Sequence, residues 1–274
     1  MMIRRASSLA AFMATVALAP LSAQVDRTPD LGTTVPGSWT NDRYAPCQFS
    51  LANGVQGRNN VLQTSVCAAD NQVNRPAAYN SAFYNTQGRQ IGIDGVGIAP
   101  PASQKLSLDL YVDASWATSA NGLVSTGFWS RLNQVNSDAE ANAWYPIIGF
   151  SNISGTGTFR FFDGNVGYVD LGAVVNYGAW NTLEIDYTGS TYEAFVNGTS
   201  QYSMVGDAGA DRLTAAFVNT SNYGANNNTS GEYTANWSNT AAVTATPEPA
   251  SLALLATGLV GIGGIASRRR GKTT

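Results

Sequence analysis

The chain of 274 residues contains no histidine. That absence excludes Ser–His and Cys–His nucleophile pairs and histidine-ligated zinc or copper. Lysine is nearly as scarce, with only Lys105 and Lys272. Charged residues of all kinds make up 12 %. Between residues 24 and 246, eight Arg and one Lys face 17 Asp and Glu, a net charge of −8. Nucleic acid requires a basic face, so no nucleic-acid partner is expected. An acidic balance suits a solvated extracellular protein.

The two ends are organised differently from the middle. Arg4 and Arg5 precede an apolar run over residues 9–19, too short to span a bilayer. Leu21-Ser22-Ala23 then forms a small-residue cleavage site before Gln24. This order predicts a secretory signal over 1–23 and processing by signal peptidase. A buried N-terminal helix is the alternative. At the other end, Pro247-Glu248-Pro249 breaks any preceding strand, because proline donates no backbone hydrogen bond. Residues 250–267 carry no charge. As a helix they reach about 27 Å, enough for a thin inner membrane. Arg268, Arg269, Arg270 and Lys272 follow and place the tail on the cytoplasmic side.

Pro247-Glu248-Pro249, the Gly-rich apolar stretch and the arginine cluster resemble the PEP-CTERM sorting domain, over the last 28 residues. The resemblance implies an exosortase as partner, cleavage near Pro-Glu-Pro, and transfer of the body to the cell surface or matrix. The hydrophobic tail would then be temporary, as in a GPI signal. A permanent single-span anchor, with the body in the periplasm, is the alternative.

The middle holds near 220 residues, enough for one large β domain. No repeat at solenoid or propeller spacing is visible. Abundant Asn, Gly, Ser and Thr favour strands joined by tight turns. Cys47 and Cys67, in an oxidising compartment, predict a disulfide. It would close a loop of about 20 residues and stabilise by roughly 3 kcal/mol.

Leu106, Leu108, Leu110 and Val112 alternate with Ser107, Asp109 and Tyr111, the pattern of a half-buried strand. Further strands are expected near 123–132, 144–150, 158–162, 167–175, 180–187, 192–196, 212–218 and 232–237. Between 68 and 104 two short strands are expected within long loops. The expected organisation is a signal peptide (1–23), an irregular N-terminal part of the β domain (24–104) and a jelly-roll core (105–240). A linker with Pro-Glu-Pro (241–249), a transmembrane helix (250–267) and a basic cytoplasmic tail (268–274) complete it. The fold class is all-β, a two-sheet antiparallel sandwich.

Trp180 to Tyr187 alternates, and Tyr192-Glu193-Ala194-Phe195-Val196 ends in Asn197-Gly198. This hairpin resembles the core of concanavalin A-like and laminin-G-like jelly rolls, which host both lectins and glycoside hydrolases. Laminarinase-type hydrolases of that fold carry Glu-x-Asp-x-x-Glu. Glu184 and Asp186 match its first two carboxylates, but position 189 is Gly. Two carboxylates on the polar face of an amphipathic strand explain Glu184 and Asp186 equally. They are the only catalytic candidates.

Trp129, Trp144 and Tyr145 are the expected ligand-binding residues, with Trp116 and Tyr168 as further aromatic platforms for sugar rings. No cofactor is expected. Asp163-Gly164-Asn165, Asp94-Gly95 and the Asp207 to Asp211 stretch carry oxygens for structural calcium, though Asx turns explain them as well. Asn152 and Asn236 begin Asn-x-Ser/Thr sequons. Asp42-Arg43-Tyr44-Ala45-Pro46 and Phe83-Tyr84-Asn85-Thr86-Gln87-Gly88 resemble segments of PEP-CTERM proteins without assigned activity. A structural role is expected there: Arg43 paired with a carboxylate, and Tyr44 packed beneath the first strand. Together these readings predict an exported, non-enzymatic domain associating with exopolysaccharide. A structural or adhesive matrix protein, and a hydrolase using Glu184 and Asp186, are the alternatives.

Overall fold

The computed structural model describes residues 24–35, 37–93, 103–133, 145–189, 191–206, 212–222 and 232–239. The expected signal peptide, transmembrane helix and basic tail lie outside these residues. Among the described residues no helix is long and apolar enough to cross a membrane.

Two sheets pack face to face. The first runs in the order β13 (Thr199–Val205), β12 (Thr191–Val196), β11 (Ala179–Tyr187), β6 (Gln104–Val112), β15 (Tyr233–Ser238), β4 (Val61–Val66), β3 (Gln48–Ala52). A two-residue strand, β1 (Val25–Asp26), pairs parallel with the start of β6. The second runs β10 (Gly167–Asp170), β9 (Thr158–Asp163), β8 (Ile147–Ser151), β7 (Ser125–Asn133), β14 (Arg212–Ser221), β5 (Thr86–Gly92), β2 (Thr40–Arg43). Apart from β1, every ladder is antiparallel.

The period of two decides what is inside. Leu106, Leu108 and Leu110 of β6 meet Leu183 and Ile185 of β11 and, across the sandwich, Phe128, Ile148, Phe150, Phe159 and Phe161 of the second sheet. All are at most 2 % exposed. Each such side chain stabilises the fold by about 1.5–3 kcal/mol relative to exposure. The hairpin β11–β12 forms as its sequence predicts. At the following tip, Asn197 (φ +51°) and Gly198 (φ +74°) take the left-handed geometry that Asn-Gly favours.

The region 24–104, expected to be irregular, contributes five strands. β4 and β5 sit inside the two sheets, while β3 closes one edge of the first and β2 one edge of the second. Among the described residues between 68 and 104 there is one strand, β5, with three short 3-10 turns before it, and β6 begins at Gln104. β10 stops at Asp170, and Leu171 then turns into the core, followed by Gly172 at φ +67°. Cys47 and Cys67 are bonded, with Cα atoms 6.0 Å apart, closing the open end of the β3–β4 hairpin.

Candidate functional site

Register brings one residue from each strand of the second sheet into a single row. The row reads Asp42, Gly88, Asn219, Gly127, Gly149, Arg160, Asp170. It lies on the outer face, since the intervening Phe128, Ile148, Phe159 and Phe161 fill the core. Three of its seven positions are glycine. A Cβ on Gly149 would overlap the Thr126 carbonyl oxygen and lie 2.7 Å from Gly127 Cα. On Gly127 it would lie 2.9 Å from the Ile148 oxygen, and on Gly88 2.7 Å from the Val218 oxygen. Side chains are therefore sterically excluded, and bare backbone forms the floor of a trough across the strands.

The neighbouring rows are the walls. On one side register aligns Phe217, Trp129, Ile147, Phe162 and Tyr168. Trp129, Ala215 and Phe217 form an apolar cluster separate from the main core, with Tyr145 and Ile147 packed on it. Trp129 stacks on Phe217 at 3.9 Å between centroids and meets Tyr145 edge-on at 4.8 Å. On the other side stand Thr86, Ser221 and Ser125. The half-open cleft between them has a volume of about 410 Å³.

Tyr233 of the first sheet fixes the hydroxyl wall. Its Oη accepts from Ser221 N at 3.0 Å and lies 2.7 Å from the Ser125 carbonyl, to which it donates. It sits in the fork where β7 and β14 part after the Thr126–Thr220 pair.

Two arginines close in on the trough. Arg160 stacks its guanidinium 4.0 Å from the Tyr168 ring centroid and donates to Ser125 Oγ at 2.7 Å. Arg43 ends β2 with φ +60°, a conformation that costs a non-glycine residue about 1–3 kcal/mol. Strict alternation from Asp42 would turn Arg43 inward, yet its side chain lines the cleft. Its guanidinium lies 4.7 Å from the Phe83 ring centroid and 5.6 Å from that of Trp129. Its Nε is 3.8 Å from Asp42 Oδ2. Burial pushes the Asp42 carboxyl pKa up, against the lowering pull of Arg43. Trp129 is 3 % exposed, and its indole Nε1 has no hydrogen-bond partner among the described residues. An unmatched buried donor of this kind costs about 1–3 kcal/mol.

Of the residues singled out in the sequence, Trp129, Tyr145 and Tyr168 come together in this cleft. Trp144 lies outside the described residues, as do Asp94 and the 207–211 stretch. Trp116 is in the main core beside Phe150 and Tyr233. Tyr44 bridges to Gln87 of β5, and its ring meets Tyr79 and Arg75. Asn152 is fully buried, and its amide nitrogen donates to the carbonyls of Trp116, Thr118 and Gly122. An attached glycan has no room there. Sequence reasoning missed Arg160 and the glycine row. Each glycine looks ordinary alone, and only strand register aligns them.

Glu184 and Asp186 occupy the outer face of the first sheet, on the opposite side of the sandwich. Lys105 Nζ is 3.6 Å from Glu184 Oε2. Burial raises both carboxyl pKa values, and for Glu184 the Asp186 charge raises it further. Where a third acid would stand, Gly189 turns the chain at φ +82°. Asp163 accepts from Asn165 N at 2.7 Å through Oδ1 and from Tyr202 Oη at 2.6 Å through Oδ2. Both oxygens are therefore engaged within the chain in an Asx turn and a tyrosine contact. Among the described residues, no three His, Cys, Asp or Glu side chains gather as a metal site.

No curated protein matches the chain by sequence. Several solved structures are similar in fold. A glycoside hydrolase family 16 endo-glucanase from Bacteroides ovatus is 8 % identical over 76 % of this chain and 97 % of its own, with a TM-score of 0.44. A carbohydrate-binding module from Bacillus subtilis is 7 % identical over 73 % and 95 %, with a TM-score of 0.34. A sialidase is 11 % identical over 73 % of this chain, which spans 16 % of the sialidase's length, with a TM-score of 0.40. A family model for the PEP-CTERM protein-sorting motif matches residues 245–270. The chain thus carries, over residues 245–270, a PEP-CTERM protein-sorting motif, which implies export and exosortase processing of its C-terminus.

Proposed function

We propose that the exported domain is a non-enzymatic polysaccharide binder whose ligand lies in the outer trough of the second sheet. The observation that carries this reading is the glycine floor between an aromatic wall and a hydroxyl wall. A sugar ring has an apolar face and a polar rim. The aromatic side, led by Tyr145 and Tyr168, suits the face. Thr86, Ser125 and Ser221 suit the rim. The bare floor lets a flat ring approach the backbone. The Trp129 indole N–H supplies a donor that the described fold leaves unmatched.

Glu184 and Asp186 support no hydrolysis of such a ligand, because they face the other way. After sorting, the domain would stand at the cell surface or in the extracellular matrix, held there by what it binds. The test incubates the purified full chain with a panel of polysaccharides, including the producer's own matrix. Protein depletion and new reducing ends are scored in the same tubes. Depletion without reducing ends, weakened severalfold by Tyr168→Ala, is the expected result. Tyr168 is 49 % exposed, so its loss leaves the core intact. New reducing ends would overturn the non-enzymatic reading. Self-association without depletion would favour a structural matrix protein.

A further inference from the structure

We propose that the polymer taken by the trough is anionic, its carboxylate or sulfate groups held by Arg43 and Arg160. This rests on the trough being the binding site.

The charge distribution is the first argument. Acids outnumber bases nearly two to one between residues 24 and 246. Two other cations of the body make internal ion pairs. Arg58 meets Asp109 at 2.6 Å, and Lys105 lies between Asp26 and Glu184. Arg160 makes no ion pair among the described residues, although Asp170 of β10 is its register neighbour. A cation left without an acid in the wall of an outer cleft points to an anion from outside.

The second argument is that both guanidinium groups are held in place by contacts that leave donors over. A guanidinium has five N–H donors. Arg160 gives one to Ser125 Oγ, and the Tyr168 ring supports its plane. Arg43 approaches Asp42, its one acid among the described residues, through Nε at 3.8 Å, which leaves its terminal nitrogens for a ligand. Phe83 and Trp129 hold it from two sides. Pre-positioned forks of this kind bind carboxylate and sulfate oxygens in pairs. The left-handed backbone at Arg43 has the same effect, since it turns the side chain out to the cleft.

Spacing is the third argument. Trp129, beneath Arg43, and Arg160 stand on β7 and β9, two strands and thus roughly 10 Å apart. Two fixed cations, one over Trp129 of β7 and one on β9, suit a polymer that repeats its charge along the trough better than a single small anion.

The experiment measures affinity of the full chain for polygalacturonate, dextran sulfate, neutral laminarin and monomeric galacturonate. Polygalacturonate or dextran sulfate is expected to bind, with affinity falling as salt rises. Whichever binds better tells carboxylate from sulfate. Arg160→Gln should weaken it about tenfold. Phe83→Ala should weaken it as well. Phe83 is 59 % exposed, so that variant keeps the fold. Unfolding midpoints of both variants check this directly. Laminarin bound as tightly as polygalacturonate would overturn the anionic assignment and leave the trough as a neutral-glycan site. Equal affinity for galacturonate and its polymer would overturn the assignment of a polymer. Failure of every probe to bind would remove the trough reading itself.

Discussion

Tyr202 donates to Asp163 Oδ2 at 2.6 Å, and this bond ties the edge strand of the first sheet to the second-last strand of the other. The Tyr202 hydroxyl, then the Asn165 amide, hold the Asp163 carboxyl pKa below the usual range. Asp163 raises the tyrosine pKa in return. A carboxyl with a depressed folded pKa stabilises the native state fully above its unfolded value, about 3.9. That stability drains away as pH falls through the lower folded value. Tyr202→Phe should cost about 1–2 kcal/mol at pH 7. Its difference from the parent should shrink below pH 4. Urea denaturation between pH 2 and 7 measures both effects.

The trough floor is testable by adding one methyl group. Gly149→Ala places a Cβ against the Thr126 carbonyl in the middle of the sheet. A loss of about 2–3 kcal/mol is expected, as for overpacked cores. Gly92→Ala is the control, because a Cβ there meets nothing within 4 Å. A Gly149→Ala protein as stable as its parent would contradict the close backbone contact described here.

Reducing the Cys47–Cys67 bridge should lower stability by about 3 kcal/mol, given the loop it closes. The cross-link holds β3, an edge strand, onto β4. The double variant Cys47→Ala/Cys67→Ala should show the reduced midpoint with or without reductant.

Asp186→Asn should raise the unfolding midpoint slightly at pH 7, by under about 1 kcal/mol. Burial raises the Asp186 pKa, so its charged form strains the folded state. A raised carboxyl contributes its full stability below the unfolded pKa and loses it as pH rises through the folded one. The gain should vanish near pH 3. Binding in the trough should not change, because the two sites lie on opposite outer faces.

Much of the second half of the chain could be read in advance. Alternation placed β6, β11 and β12 to within a residue or so, because the inward face of each is mostly apolar, with Gln104 and Asn181 as the polar exceptions. β13 was not foreseen. As an edge strand it buries only Met204, and Thr199, Ser200, Gln201 and Ser203 give no alternating signal. β2 to β5 were harder for a related reason. β4 buries five of its six residues, including Thr64 and Ser65, so polarity along it does not alternate. The site divided in the same way. Trp129 and Tyr145 announce themselves as aromatics. The glycines, Arg160 and the outward turn of Arg43 become a site only through pairing between distant strands, which no local pattern carries.

The position of Tyr233 has a mechanical consequence. It belongs to β15, the last strand among the described residues on the way to the sorting motif. That strand is bonded on both sides, to β4 and to β6. A pull on the C-terminus along its axis is therefore resisted in shear by many backbone bonds at once, where an edge strand would peel off bond by bond. Tyr233 passes part of that load to β7 and β14, the strands of the hydroxyl wall. Tension from an anchor and drag from a captured polymer would then meet within a few strands, with the rest of the sandwich left unstressed.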